Sequence, residues 1–235
     1  MEINATLFKD FIRKASFGGV HPSINLDFSD IGLRSSVRSA DNQCLSIVTM
    51  KKEAFKGYEP IGEVFIKDTD KFMKYLTTFE AEIVLDFGVK HILRMTGDGR
   101  EGHVILGDEI VCENVFRKEM PVIPTTAEMV LYKRDLSKTL GDISLLSINQ
   151  VRMTKKDEEL LLEVGIKGES DYFITKIKVI KEGDGDTKIG GYFSNLCSSI
   201  DGEFVLRIGK DIPIVVEEKS NLISFIGIIA PFIDM

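Results

Sequence analysis

Residues 108–126, DEIVCENVFRKEMPVIPTT, separate two halves of the chain that have the same predicted order of elements. The stretch has no clean helical or strand period, and it ends in the proline-bounded sequence PVIPTT. Segments of this length without secondary structure of their own are typical of functional loops or domain joins. We therefore predict an interdomain connecting loop at 108–126, between an N-terminal domain (1–107) and a C-terminal domain (127–235).

Hydrophobic periodicity in the first half predicts two helices among several short strands. The first helix follows a strand at residues 2–5, with Thr6 as its predicted N-cap, and its apolar residues share one helix face: Phe8, Phe11, Ile12 and Ala15. The other predicted elements are strands Ser23–Phe28, Gly32–Ser39, Cys44–Met50 and Gly62–Lys67, a helix Thr69–Phe79, strands Glu82–Phe87, His91–Thr96 and Gly102–Leu106, and a turn at Gly97–Gly99.

The pattern restarts after the loop. The predicted elements are a strand Ala127–Leu131, a helix Asp135–Asp142, strands Ile148–Thr154, Leu160–Ile166 and Tyr172–Ile180, a loop Glu182–Asp186, a helix Gly191–Ile200, and strands Glu203–Ile208, Ile212–Glu217 and Ser224–Ile229. Short connections favour antiparallel pairing. The sequence thus predicts an α+β fold of two similar domains, each with two helices packed on antiparallel sheets.

Composition excludes several classes of protein. The chain has 235 residues, of which 43% are hydrophobic and 29% charged, as in ordinary globular domains. No apolar run reaches the roughly 18–20 residues that cross a bilayer, and the N-terminus lacks a signal-peptide pattern, so we expect an intracellular protein without membrane contact. Because the net charge is −7, any contact with DNA requires a local basic patch.

Motifs of catalysis and metal binding are missing. The chain has no GxxxxGK[ST], GxGxxG or GxSxG pattern, and the histidines His21, His91 and His103 share no metal-ligand spacing. Asp184 and Asp186 lack the remaining ligands of a calcium loop. The cysteines Cys44, Cys112 and Cys197 are far apart and are predicted to be buried free thiols. We expect no catalytic residues, metal or cofactor, with an α+β enzyme of scattered active site as the remote alternative.

Four stretches resemble the DNA sliding clamps of the proliferating-cell-nuclear-antigen (PCNA) family. They are SADNQCLSIV at 39–48, the loop end VIP at 122–124, DIPIVVE at 211–217 and IIAPFI at 228–233. Their order and spacing, with the duplicated layout, cover nearly the whole chain. The chain departs from the family pattern in a shorter second half, in a nearly missing strand at Thr187–Gly190, and in Ile229 and Phe232 beside the terminal Ala-Pro.

The resemblance implies a head-to-tail ring, usually of three subunits, with helices lining the hole and sheets outside. In the family, an edge strand of the first domain pairs with one from the second domain of the next subunit. Two exposed edge strands would be an aggregation hazard unless they were paired. The candidate interface residues are Gly102, His103, Val104, Ile105, Leu106, Phe173, Thr175, Ile177 and Val179.

Basic residues on three predicted helices form the candidate DNA-binding surface. Pairs at i,i+3 and i,i+4 spacing project from one helix face, and contacts to phosphates are independent of sequence and sensitive to salt. The fourth helix has no Lys or Arg, and only Lys188 lies near it. The candidates are Lys9, Arg13, Lys14, Lys71, Lys74, Lys133, Arg134 and Lys138.

The family also has a groove beneath the connecting loop that accepts a short partner peptide. An exposed apolar groove beside a loop suits peptide capture. The matching residues are Ala40, Cys44, Leu45, Val115, Phe116, Val122, Ile123, Pro213, Ile228, Ala230 and Pro231.

These observations predict a non-enzymatic processivity factor that encircles double-stranded DNA and tethers replication and repair proteins. Its expected partners are DNA polymerase, other proteins with clamp-binding peptides, a clamp-loader ATPase and further copies of itself as a homotrimer. A specialised subunit of a hetero-oligomeric clamp and a monomeric viral processivity factor are the alternatives. The compartment follows the source, cytoplasmic in a prokaryote or its virus and nuclear in a eukaryote.

Overall fold

Packing divides the chain into two units. The structure, a computed structural model, describes residues 1–112, 114–116, 119–166, 168, 171–179 and 183–232. The first unit comprises Met1–Ala40, Leu45–Arg117 and Lys219–Phe225, and the second comprises Asp41–Cys44, Lys118–Glu218 and Ile226–Met235. The sequence-based domain boundaries stay a prediction.

Nine strands and two helices precede the predicted loop in the part of the chain that the structure describes. They are β1 (Glu2–Asn4), α1 (Ala5–Ala15), β2 (Ile24–Ser29), β3 (Gly32–Arg38), β4 (Cys44–Lys51), β5 (Phe55–Lys56), β6 (Gly62–Ile66), α2 (Thr69–Leu76), β7 (Glu82–Val89), β8 (Ile92–Gly97) and β9 (Arg100–Ile105). In the first unit, one antiparallel sheet has the order β5-β1-β7-β8-β9, and β4-β3-β2-β6 form a second antiparallel run.

The rest of the chain repeats this mixture of strands and helices. Its elements are β10 (Ala127–Tyr132), α3 (Ser137–Leu146), β11 (Val151–Lys156), β12 (Glu159–Val164), β13 (Phe173–Lys178), β14 (Gly185–Ile189), α4 (Phe193–Ser199), β15 (Glu203–Ile208), β16 (Ile214–Lys219) and β17 (Ile223–Ile229). In the second unit, β13-β12-β11-β14 form an antiparallel sheet, and β10-β15-β16-β17 form a second run. The predicted α+β class with antiparallel sheets is confirmed.

Helix α1 begins two residues earlier than the sequence predicted. The side chain of Asn4, not Thr6, accepts a hydrogen bond from the Leu7 amide at 3.1 Å. Asparagine caps helices as well as threonine does, and Asn4 ends a strand in the extended conformation that a cap requires. The predicted apolar face is confirmed, since Phe8, Phe11 and Ile12 are all fully buried.

The two helices of the first unit pack together through aromatic rings. Phe8 of α1 and Phe72 of α2 meet edge-to-face with their ring centroids 6.1 Å apart. Asp68 caps α2 by accepting a hydrogen bond from the Lys71 amide at 2.9 Å. Such pairs add to the free energy of apolar burial, so the two helices are fixed side by side.

A two-residue turn joins β8 to β9, at the predicted turn Gly97–Gly99. Gly97 pairs with Arg100, and both turn residues have positive φ, 49° at Asp98 and 70° at Gly99. An Asp-Gly pair suits this turn because its backbone twist matches that of the strands. The turn fixes the register of β9, which ends the sheet.

The prediction that almost no strand lies at Thr187–Gly190 is wrong. Strand β14 pairs with β11 in continuous register from Gly185 opposite Lys155 to Ile189 opposite Val151. Gly185, Thr187 and Ile189 are buried, whereas Asp186 and Lys188 are partly exposed. Its strand period is hidden in the sequence because a glycine and a threonine occupy buried positions where strands usually carry large apolar residues.

Other differences concern the ends of elements. The third predicted helix starts as a 3-10 turn at Lys133–Leu136 before α3, and the predicted connecting loop contains a 3-10 turn at Glu109–Cys112. The short strand β5 was not predicted. Ile180, Glu182 and Ile233, which the sequence placed in a strand, a loop and the terminal motif, lie outside the described residues.

The three cysteines are buried free thiols, as predicted. Burial raises the pKa of the Cys112 thiol and raises that of Cys197 to about 12. Both thiols therefore stay protonated and unreactive near neutral pH. Among the described residues, no helix has the length and apolar content needed to cross a membrane.

Candidate functional site

Five of the predicted DNA-contacting residues lie on the paired helices α1 and α2, and four of them are exposed or partly exposed. Lys71 and Lys74 are exposed, and the ammonium of Lys71 lies 5.7 Å from the ring centroid of Tyr75. Lys9 is partly exposed and donates a hydrogen bond to the carbonyl of Phe79 at 2.6 Å. Arg13 is also partly exposed and forms an ion pair with Asp10 one turn away. The helix pair thus brings these four basic side chains onto one unit.

Lys14 does not fit the predicted DNA surface. Its side chain is only 4% exposed, with Nζ 3.5 Å from the Asp10 carboxylate and 5.8 Å from the Phe225 ring centroid. Lysine stems pack readily against apolar surface while the ammonium keeps a charged partner. The helical periodicity put Lys14 opposite the apolar stripe, but in the structure its side chain lies against Phe225 of β17. We therefore remove Lys14 from the surface.

The basic residues of the second unit cluster at the start of α3. Arg134 and Lys138 are exposed, and Lys133 is partly exposed. The Arg134 guanidinium stacks on Tyr132, 4.9 Å from its ring centroid. Asp135 holds this turn by accepting a hydrogen bond from the Tyr132 amide at 2.8 Å.

Helix α4 carries no basic residue, and Lys188 does not replace one. Its exposed and partly exposed side chains are the small polar ones of Ser194, Asn195 and Ser198. The ammonium of Lys188 on β14 lies over the Phe232 ring, 4.9 Å from its centroid. Of the four α-helices in the part of the chain that the structure describes, three therefore offer positive charge.

Charge is distributed unevenly between the helices and the rest of the chain. With the turn before α3 included, the helical segments contain eight basic and four acidic residues, whereas the whole chain has a net charge of −7. The strands and loops are therefore strongly acidic. Such a distribution attracts a polyanion to the helices and repels it from the remaining surface.

The residues of the predicted peptide groove in the first unit lie next to β3. Val115 forms an isolated bridge with Val37, and the Phe116 amide donates to the carbonyl of Ser36 at 2.8 Å. Both residues are partly exposed, and Ala40 is exposed, but Leu45 is buried at 8% exposure. The start of the connecting loop is thus held along the edge of β3.

The second unit holds the remaining groove residues. Val122 is 96% exposed, Ile123, Pro213, Ala230 and Pro231 are partly exposed, and Cys44 and Ile228 are buried. The terminal segment is fixed in place, since the Ala230 amide donates to the Gln43 carbonyl at 2.7 Å and Pro231 bridges Ile189. Tyr192 supports the same region by donating to the Asp41 carboxylate at 2.5 Å, a contact that the sequence did not reveal.

The two predicted interface strands each end a sheet. β9 is the last strand of its sheet, and β13 is the first strand of its own. Ile105 is 64% exposed and Phe173 39%, whereas Val104, Leu106, Thr175 and Val179 are buried against their own units. Gly102, His103 and Ile177 retain exposed surface. Both strands present free peptide edges of the kind that pair with another chain.

Charged groups link the exposed face of β9 to β8. The Glu101 carboxylate accepts from Arg94 at 2.9 Å and lies 3.0 Å from Nε2 of His103. The hydrogen bond from Arg94, followed by that from His103, lowers the pKa of Glu101. His91 lies 3.3 Å from the Asp108 carboxylate. Within the described ranges, no group of three or more His, Cys, Asp or Glu residues could hold a metal ion.

Solved structures of PCNA proteins share this fold over the full chain. A PCNA from A. fulgidus, solved with the C-terminal region of FEN-1 bound, has 18% identity and a TM-score of 0.82, and the match covers 100% of this chain and 98% of that one. The PCNA of Entamoeba histolytica gives 17% identity, a TM-score of 0.84 and coverage of 99% and 98%. A PCNA2–PCNA3 complex from Sulfolobus tokodaii has 14% identity and a TM-score of 0.75, and the match covers 98% of this chain and 99% of that one.

No protein-family model and no curated protein sequence matches the chain. The likeness therefore lies in the three-dimensional arrangement of the elements, and the fold of this chain is the DNA-clamp fold.

Proposed function

We propose that the protein is a sliding clamp that encircles duplex DNA and tethers replication and repair proteins to it. The observation that carries the proposal is the match to PCNA clamps over at least 98% of both chains in each comparison. Tethering raises the local concentration of an enzyme on its DNA substrate without any chemical step by the tether itself. In this role the protein needs no catalytic residue and no cofactor.

The DNA-facing surface consists of the predicted basic residues without Lys14. Their exposure and their concentration on helices of an otherwise acidic chain support this role. Phosphate contacts from flexible lysines carry no base information, so the ring can move along any sequence. The residues are Lys9, Arg13, Lys71, Lys74, Lys133, Arg134 and Lys138.

The partner surface is the predicted groove around the connecting loop and the terminal Ala-Pro segment. Its exposed apolar residues are suited to the hydrophobic side chains of a short peptide. Val122→Asp should weaken binding of such a peptide at least about 10-fold, equivalent to about 1.4 kcal/mol, because a carboxylate would be desolvated in an apolar contact. Fluorescence anisotropy with a labelled clamp-binding peptide measures the change.

Ile31→Asp is the matched control for this variant. Ile31 is 72% exposed in the turn between β2 and β3, outside the proposed groove. It should leave peptide binding unchanged. Equal weakening by both variants would argue against the groove.

Solution mass tests the ring. Light scattering during size exclusion, across a dilution series, should give a mass near three times the 26.3 kDa of one chain. With a clamp-loading ATPase from the same source, the ring should then be retained on nicked circular DNA and released when that DNA is cut. A strict monomer at every concentration would rule out the homotrimer. Equal retention on linear and circular DNA would rule out encirclement.

A specialised subunit of a mixed clamp is the second candidate. The lack of basic residues on α4 favours it, because one of the four α-helices within the described residues then contributes no positive charge. Mixing this chain with related clamp subunits and measuring the mass of the product separates the two candidates. The proposed compartment is wherever the encircled DNA is replicated, the cytoplasm of a prokaryote or the nucleus of a eukaryote.

A further inference from the structure

Strand β7 contains a β-bulge that turns Val89 toward solvent. The last regular pair joins Asp86 to Arg94 of β8. The next pair joins Val89 to Ile92, so three steps along β7 match two along β8. Before the bulge, alternate residues such as Leu85 are buried, whereas Val89 is 62% exposed. Because bulges redirect side chains and often lie beside functional sites, the surface next to Val89 is a candidate for binding.

Val89 borders a hollow of about 290 Å³ in the first unit. Its apolar lining includes Ile61, which is 38% exposed, and the partly exposed Val64 and Phe87. Leu106 is buried behind them. The hollow thus presents apolar surface that water would leave when another side chain enters.

Two backbone hydrogen bonds fix one wall of this hollow. The Leu106 amide donates to the His91 carbonyl at 2.9 Å, and the Gly107 amide donates to the Phe65 carbonyl at 2.8 Å. These bonds tie the chain after β9 both to the turn between β7 and β8 and to β6. The hollow is therefore formed before any occupant arrives, and binding does not require the chain to be ordered.

Carboxylates outnumber cations around the hollow. Its charged lining residues are Glu63, Asp108, Glu109, Lys90 and His91. The Asp108 side chain is 71% exposed and lies 3.3 Å from Nδ1 of His91, and Glu63 accepts a hydrogen bond from Asn25 at 2.8 Å. The lining of this acidic hollow therefore attracts a cationic occupant and repels a polyanion such as DNA.

The acidic hollow lies along a strand that ends its sheet. In the first unit the order is β4-β3-β2-β6, and Glu63, Val64 and Phe65 of β6 line the hollow. The edge of a sheet suits an extended segment of another chain. The volume of about 290 Å³ is at the lower limit of small-molecule sites, about 300 Å³, so a side chain of such a segment fits better than a free ligand.

We propose that the acidic hollow is a second docking surface, which takes a short extended segment of another protein with an aliphatic side chain between lysine or arginine residues. The aliphatic side chain packs against Phe87 and Val89, and the basic side chains lie toward Glu63 and Asp108. The inference goes beyond the proposed clamp function. It does not depend on the ring, because all these residues belong to the first unit.

A second copy of this chain fits the acidic hollow less well than a different, basic protein. The net charge of −7 would bring carboxylates toward carboxylates. The stretch Lys176–Lys178, Lys-Ile-Lys, has the required pattern, but it lies on β13, a candidate strand for the subunit contact. The proposed groove around the connecting loop differs from the acidic hollow because its exposed residues are apolar.

A fluorescein-labelled peptide, Lys-Lys-Leu-Lys-Lys, is the probe, and fluorescence anisotropy measures its binding. We expect a dissociation constant below about 1 mM. The peptides Lys-Lys-Gly-Lys-Lys and Glu-Glu-Leu-Glu-Glu should bind at least about 10-fold more weakly, because the first lacks the apolar anchor and the second carries the wrong charge. If the leucine probe does not bind at that concentration, or if the glycine peptide binds equally well, the proposal is overturned.

Val89→Lys should weaken binding of the leucine probe at least about 10-fold, because it removes apolar contact and places a cation beside the probe. Val84→Lys is the matched control, since Val84 is 44% exposed on the same strand and does not line the hollow. Val122→Asp, in the proposed groove, should also leave the probe bound. Equal weakening by the two lysine variants, or weakening by Val122→Asp, would show that the probe binds elsewhere and would overturn the proposal.

Thiol protection tests the same contact without a change of charge. Val89→Cys should react with iodoacetamide, and saturating leucine probe should slow that reaction at least about 10-fold, because alkylation requires access to the sulfur. Val84→Cys should react at the same rate with and without the probe. The native cysteines are buried, so they add little background. Equal reaction of Val89→Cys with and without the probe would contradict the contact.

Light scattering separates this surface from a contact between copies. Val89→Lys should have the same mass as the parent protein at every concentration. A lower mass for Val89→Lys would identify a second copy as the occupant and overturn the proposal. Because the probe binds within one unit, a parent protein that is always a monomer would end the homotrimeric ring and leave the acidic hollow to be judged by the peptide measurements alone.

Discussion

The carboxylate of Asp186 binds the guanidinium of Arg152 through two hydrogen bonds, at 2.9 Å to Nε and 2.6 Å to Nη2. The pair joins β14 to β11, and Thr154 donates a third hydrogen bond to the same carboxylate at 3.2 Å. These contacts hold β14 in place, the strand that the sequence did not predict because its residues are largely polar. Asp186 therefore stabilises the edge of the sheet on which the terminal segment rests.

Asp186→Asn should lower the free energy of unfolding by about 0.5–1 kcal/mol at pH 7. The magnitude is that of an exposed ion pair with favourable geometry, since the two side chains are 55% and 40% exposed. The hydrogen bond from Arg152 lowers the pKa of Asp186. The stabilisation from the ionised Asp186 carboxylate is thus fully present above the unfolded-state pKa of about 3.9. It is lost as the pH falls through the lower pKa of the folded state.

Urea denaturation at pH 7 and at pH 2.5 measures this difference. The variant should have a lower free energy of unfolding than the parent at pH 7, and the difference between the two proteins should be smaller at pH 2.5. Asp184→Asn, at an exposed residue immediately before β14, is the control and should show no such change. A gap of equal size at both pH values would contradict the role of the ionised carboxylate.

Lys14 should behave as a packing residue. Lys14→Ala removes most of a buried aliphatic stem and should cost roughly 2 kcal/mol of unfolding free energy, at about 0.8 kcal/mol for each buried methylene. Lys14→Met preserves the volume and should cost less than about 1.5 kcal/mol. Chemical denaturation measures both. A Lys14→Met variant with normal stability but weakened DNA binding would return Lys14 to the DNA surface.

Lys71 and Lys74 should contribute to the salt dependence of DNA binding. The double variant Lys71→Gln, Lys74→Gln removes two phosphate contacts, which should reduce the slope of log K against log salt by about 2, at roughly 0.9 for each contact. Both side chains are exposed, so stability should change by less than about 0.5 kcal/mol. Titration of duplex DNA at several salt concentrations gives the slope.

Lys52→Gln provides the comparison for that experiment. Lys52 is exposed on the 3-10 turn after β4 and is not one of the proposed DNA-facing residues. It should leave the slope unaltered. A slope that is the same in the double variant and the parent would exclude Lys71 and Lys74 from the DNA contact.

If β9 and β13 of neighbouring copies pair with Glu101 opposite Lys178, charge reversal at these two residues should weaken the ring in a reversible way. Glu101→Lys alone places two cations opposite each other, and Lys178→Glu alone places two carboxylates together. Each should raise the dissociation constant of the ring roughly 2- to 5-fold, since like charges on opposite residues cost about 0.5–1 kcal/mol.

The combined variant should recover much of the loss. Light scattering over a dilution series gives the dissociation constants of all four proteins. Recovery in the combined variant identifies the two residues as neighbours. Additive losses would place them apart and would agree with a different register.

Apolar periodicity predicted much of the fold because burial of one face dominates the choice between helix and strand. Phe8, Phe11 and Ile12 were placed on the buried face of α1, and the alternating residues of β2 and β15 gave strands that the structure confirms. The same reasoning missed β14, where Gly185 and Thr187 occupy buried positions. There the strand is specified by pairing with β11 and by Arg152, not by its own hydrophobicity.

The candidate site likewise has some features that the sequence predicts and others that depend on tertiary contacts. Residue type and spacing alone establish which residues carry positive charge on the helices and which strands are apolar on alternate residues. Tertiary contacts were needed to show that Lys14 is buried beside Phe225 and that β9 and β13 end their sheets. Each of these depends on contacts between residues distant in sequence, and local periodicity contains no information about such contacts.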